Sequence, residues 1–119
     1  RLPGSEPQTV PKDGKLTGKL FVQPRKPVIA AFIGKTLFLK QTKALPSGKI
    51  APGHRQIELF GERNSDPALS FYELEFHGEC AELAPGQSLG LEETWILRPA
   101  SPSDGANALR ALELISDQL

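Results

Sequence analysis

Apolar residues in this chain come in short, dense runs: KLTGKLFVQ at 15–23, VIAAFI at 28–33, TLFLKQ at 36–41, RQIELFG at 55–61, and further runs within 70–77 and 88–97. Each is too short for a typical helix, is rich in Val, Ile, Leu and Phe, and is bounded by proline, glycine or polar residues, so each is expected to be a strand. Ile33-Gly34-Lys35-Thr36 lies between two of them with glycine first, the arrangement of a type II′ turn, which predicts a hairpin over residues 28–41. Ala84-Pro85-Gly86-Gln87 has proline second and glycine third and predicts a type II turn. Residues 42–54 carry two prolines and two glycines with no core pattern and are expected to form a long loop. After Ser101 and Asp104, which can cap free amides, the three- and four-residue spacing of Leu109, Leu112, Ile115 and Leu119 predicts one helix with a docking stripe. Residues 1–14 have no apolar period and read as an extended arm or linker.

The resulting expectation is a mainly β chain: an antiparallel β-sandwich, or a portion of a larger one, over residues 15–100, with a C-terminal helix in 101–119 packed on or near it. A chain of 119 residues suffices for one domain with its own core. Lys plus Arg (14) equals Asp plus Glu (14), so there is no basic footprint for nucleic acid and none for an anionic membrane. The longest apolar run falls far short of the roughly 20 residues a bilayer span needs. Cys80 is the single cysteine, which rules out an internal disulfide. The chain starts at Arg1 and contains no methionine, as expected of a processed chain or a piece of something longer.

The densest candidate chemistry lies in the strand at 70–77. Alternation puts Glu73, Glu75 and His77 on one face and Tyr72, Leu74 and Phe76 on the other. A carboxylate and an imidazole two residues apart can meet one ligand and together supply acid and base; the same three residues also suit the solvated face of an amphipathic strand. His77 and Cys80 alone make a poor metal half-site, so no metal or cofactor is expected. Cys80 is flanked by Glu79 and Glu82, which disfavour the thiolate, and reads as a structural or incidental thiol rather than a nucleophile. Trp95 could stack on a sugar ring, although alternation groups it with Leu91 and Leu97 as a core set. Lys40 and Arg55 are candidate partners for hydroxyls or carboxylates, or simply solvated charges. No nucleotide loop or Ser-His-Asp pattern is present.

The order KLFV, VIAAF, TLFLKQ, QIELF, YELEF and LAPGQSLGLEETWIL resembles the C-terminal part of galactose-mutarotase-like (aldose 1-epimerase-like) proteins, closest to an uncharacterised bacterial branch. The residues that carry it are Leu74-Glu75, Leu83-Ala84-Pro85-Gly86-Gln87 and Thr94-Trp95. The resemblance implies a supersandwich whose concave face binds a sugar, with Glu75 in the position of the base acting on the anomeric hydroxyl. It also implies that a missing N-terminal half, or a partner chain, supplies the acid histidine and much of the pocket. Phe76 stands where such proteins often have Gln, and Pro46-Ser47-Gly48-Lys49 replaces an acidic loop. The competing expectation is a non-catalytic β-sandwich interaction module, with a flat apolar patch in place of a cleft.

Overall fold

A computed structural model describes residues 18–101 of the chain. The expected arm at 1–14 and the expected helix at 106–118 lie outside the described residues. The rest is mainly β, with six strands: β1 (Gly18–Val22), β2 (Val28–Ile33), β3 (Thr36–Thr42), β4 (Ile57–Glu62), β5 (Phe71–Phe76) and β6 (Glu93–Pro99). They form two antiparallel three-stranded sheets, ordered β1-β4-β5 and β2-β3-β6. No helix among the described residues is long and apolar enough to cross a membrane.

Two turns follow from glycine. In the β2–β3 hairpin Ile33 faces Thr36, and Gly34 takes a φ of 60°, the first position of a type II′ turn. Gly86 has a φ of 85° and the Gln87 amide donates to the Ala84 carbonyl at 3.0 Å, closing the type II turn that Pro85-Gly86 requires. The last strand begins later than its sequence pattern suggests, because residues 87–92 run as irregular, exposed chain before β6 starts at Glu93.

Each sheet has an apolar face. Ile57 and Phe76 of the first sheet are buried in one cluster with Ile29 of the second, flanked by Val22, Leu59 and Leu74. Lys40, buried on β3, crosses from the second sheet to the first: its ammonium donates to the Leu74 carbonyl at 2.9 Å, pairs with Glu93 at 3.2 Å and lies 4.9 Å from the centre of the Phe76 ring. It is therefore not a solvated charge. A second cluster lies on the other face of the second sheet, where Leu37 and Leu39 are each 1% exposed and pack with Val28, Phe32, Ile96 and Ala100.

Trp95 and Leu97 depart from the expected core set, being 62% and 66% exposed; Leu91 is exposed as well. The pairing register puts Trp95 and Leu97 on the same face as Ile29 and Lys40, but the cluster shared with the first sheet takes in Ile29 of β2 and no residue of β6. Trp95 instead packs edge-on against Phe38, and its indole N–H donates to Glu93 at 2.8 Å. Leu39→Ala should cost about 2–5 kcal/mol, the usual range for a buried leucine, whereas Leu97→Ala should fall within about 0.5 kcal/mol of zero. Urea denaturation of the two variants checks both, and equal losses would mean that Leu97 is buried in solution.

Candidate functional site

The polar face of the first sheet gathers side chains from every strand in it. Antiparallel pairing sets Glu58 of β4 opposite Phe21 of β1 on one side and Glu75 of β5 on the other; Phe60 likewise lies between Lys19 and Glu73. By alternation, Lys19, Phe21, Glu58, Phe60, Glu73 and Glu75 all project from this face. Glu58 and Glu75 are like charges directly across a strand pair, an arrangement that is unfavourable unless a cation intervenes.

Lys19 is that cation. Its ammonium forms an ion pair with Glu58, whose side chain is only 3% exposed. The pair holds the Glu58 carboxyl below its ordinary value; burial opposes the shift and a hydrogen bond from His77 reinforces it. The Lys19 ammonium is correspondingly raised, chiefly by the Glu58 hydrogen bond, against its own desolvation and with added attraction from Glu58, Glu75 and Glu73. Because the Glu58 carboxylate accepts, His77 donates through Nε2, at 2.9 Å from Oε2.

A second imidazole arrives from the long loop. Gln56, with no exposed surface, anchors that loop. Its side-chain carbonyl accepts from the Leu45 amide at 3.0 Å, and its side-chain nitrogen donates to the Lys43 carbonyl at 2.5 Å. Its backbone N–H donates to the side-chain oxygen of Gln23 at 2.8 Å, and its carbonyl accepts from the His77 amide at 2.8 Å. Farther along, the Cys80 amide donates to the Lys49 carbonyl at 2.7 Å and Lys49 pairs with Glu79 at 2.7 Å. A turn from Ala51 to His54 closes at 3.0 Å and presents the His54 ring to Glu58.

His54 and His77 have ring centres 4.9 Å apart, tilted by 59°, and Phe21 meets His54 edge-on at 5.5 Å. His54 Nδ1 lies 4.0 Å from Glu58 Oε2, beyond hydrogen-bond reach, and is buried without a partner. The metal-binding atoms of His54, Glu58 and His77 all lie within 4.8 Å of one another, and this is the cluster among the described residues that could hold a metal ion.

Of the residues singled out from sequence, Glu73, Glu75 and His77 lie at this site. Arg55 is next to it along the chain, but its exposed guanidinium donates to the His54 carbonyl at 2.8 Å. Lys40 reaches the opposite, apolar side of β5, and Trp95 belongs to the second sheet. The sequence reading missed Glu58, His54 and Lys19. Glu58 could have been reached by folding the 57–62 and 71–76 runs into a hairpin about the polar turn, which sets it opposite Glu75. Nothing local singles out His54. Cys80 is exposed and free, outside the cluster.

Residues 5–98 match the DUF4380 family, a domain of unknown function, and the chain belongs to that family. No curated protein and no solved structure matches it.

The Lys19–Glu58 pair has a defined pH window. Glu58 is depressed from 4.5, so its contribution is complete above that value and fades as pH falls through the folded-state value. Lys19 is raised from 10.5, so its contribution is complete below that value and fades as pH rises through the folded-state value. Lys19→Met should lower the urea midpoint between these limits, with the gap to the unsubstituted chain closing as pH drops below 4.5. A gap that persists unchanged in acid would assign the loss to the lysine's alkyl packing.

Proposed function

We propose that this DUF4380 chain binds a sugar or sugar derivative on the polar face of its β1-β4-β5 sheet, as part of a galactose-mutarotase-like sandwich. The observation that supports this most is the convergence of Glu58, Glu75 and His77, with the Phe21 ring beside them, on one sheet face. Carboxylates accept from sugar hydroxyls, and an aromatic edge or face suits the apolar patches of a pyranose. Glu75 is half-buried and stands where the resemblance puts the base. His77, two residues on, carries a proton on the nitrogen that faces Glu58.

In mutarotase-type chemistry a proton leaves the anomeric hydroxyl while another is delivered to the ring oxygen. Glu75 would take the first role. His77 can give up its proton only if the Glu58 hydrogen bond is exchanged for one to the substrate, so Glu58 would act as a positioning residue for the imidazole. Closure over a sugar would come from a further portion of the sandwich or from a partner chain.

A second reading is favoured by a different observation: Ile33, Trp95 and Leu97 are each more than 60% exposed on one face of the other sheet. An apolar patch of this kind fits a non-catalytic interaction module. A ligand-observed NMR screen of hexoses and uronic acids separates the two. Binding lost in Glu75→Gln, with the melting temperature unchanged, supports the sugar face. Binding that survives Glu75→Gln, or absence of binding by both this chain and any longer parent, shifts the assignment to the apolar face.

A further inference from the structure

We propose that His54, Glu58 and His77 form a binding site for a divalent transition-metal ion, with Zn²⁺ the best-matched occupant. The site goes beyond the sugar reading and stands whether or not a sugar binds.

Geometry comes first. His54 Nδ1 and His77 Nε2 converge on the same carboxylate oxygen, Glu58 Oε2, at 4.0 and 2.9 Å, and the three donor atoms fit within 4.8 Å. Ions of this class bind nitrogen and oxygen at about 2.0–2.2 Å, which puts neighbouring donor atoms roughly 3.3 Å apart in a tetrahedral shell. Reaching that shell takes a shift of about an ångström in His54, whose side chain is 40% exposed and holds no hydrogen bond at Nδ1. Glu58 and His77 need little adjustment. Their hydrogen bond is replaced by two bonds to the ion, which His77 makes as the tautomer with its proton on Nδ1 and Nε2 free to ligate.

The unpartnered nitrogen is the second observation. A buried polar atom without a partner is costly, and native structures nearly always satisfy such atoms. His54 Nδ1 is buried beside a carboxylate it does not reach and an imidazole with which it shares no proton. An ion between the three donors satisfies it directly.

Charge is the third. Lys19 is attracted by Glu58, Glu73 and Glu75 together, so this face carries three carboxylates against one ammonium. A dication brings that local set to neutrality. Glu58 has two oxygens, and Lys19 holds Oε1 while the cluster uses Oε2, so the lysine need not leave when the ion arrives.

The donor set selects the ion. Two imidazoles and one carboxylate suit zinc and its neighbours, whereas calcium and magnesium take oxygen shells. Three protein ligands leave a fourth position for water or a substrate oxygen, the pattern of an open site.

Titration of Zn²⁺ into the full chain in chelator-treated buffer, with no sugar present, should give one site per chain, and Co²⁺ should bind with visible absorption bands of a four-coordinate ion. Losing a ligand costs at least the roughly 10- to 100-fold in affinity that loss of a supporting outer-shell partner costs. His54→Ala should therefore weaken binding at least that much, and its metal-free melting curve separately reports the loss of the ring contacts with Phe21 and His77. His77→Ala should weaken binding similarly, and Cys80→Ser should leave it unchanged. No saturable Zn²⁺ binding, binding indifferent to His54→Ala, or binding lost in Cys80→Ser would each overturn the site. None of these readouts involves the sugar screen, so either reading can fail alone.

Discussion

Gln56 is the residue on which the geometry of the polar face depends. Its side chain binds the start of the long loop through Lys43 and Leu45, while its backbone joins Gln23 on one side and His77 on the other. A fully buried amide is tolerated only when its donors and acceptors are met, and here the residue's partners come from three places in the chain. Satisfying the side chain and backbone of this one residue thereby fixes where β1 ends, where the loop leaves β3 and where β5 delivers its histidine. His54, two residues before Gln56, and Glu58, two residues after it, take their positions from the same anchor.

The two sheets divide the tasks of the fold. The second sheet supplies the most deeply buried apolar residues, Leu37 and Leu39, and sends Lys40 across to hold the Leu74 carbonyl. The first sheet turns one face to Ile29, on the opposite side of the second sheet from Leu37 and Leu39, through Ile57 and Phe76, and uses its other face for charge. Alternation along β4 and β5 is what allows this: Ile57, Leu59, Leu74 and Phe76 serve the core while their neighbours Glu58, Glu73 and Glu75 serve the polar face. Neither set can change register without moving the other to the wrong side.

How much of this was legible in the sequence depends on how local each feature is. The Gly34 and Pro85-Gly86 turns are set by residues next to one another, and the sequence shows them directly. The face of Glu73, Glu75 and His77 follows from alternation within one strand. Glu58 needed the β4–β5 register as well, and His54 needed the path of a 14-residue loop, which is held by contacts distant in sequence. Trp95 and Leu97 show the limit of alternation itself: it groups side chains on a face without saying how far the opposing sheet extends over that face. Lys40 is the converse, since nothing in its own run marks it as the lysine that will be buried with three partners.

The cost of the Glu58 site bears on which functional reading to favour. A carboxylate 2% exposed, facing a second carboxylate across the strand pair, is an expensive element. An ion pair whose lysine side chain is 56% exposed adds little net stability, so folding alone does not require Lys19 and Glu58. A module that works only through the apolar face of the second sheet would have no use for two imidazoles converging on this carboxylate, nor for a nitrogen buried without a partner. Both make sense on a surface that presents fixed charge to a ligand, because groups already held and desolvated lose little further freedom when a ligand arrives. The costly features cluster on one face and the exposed apolar residues on the other sheet, so the polar face is where binding chemistry is best sought.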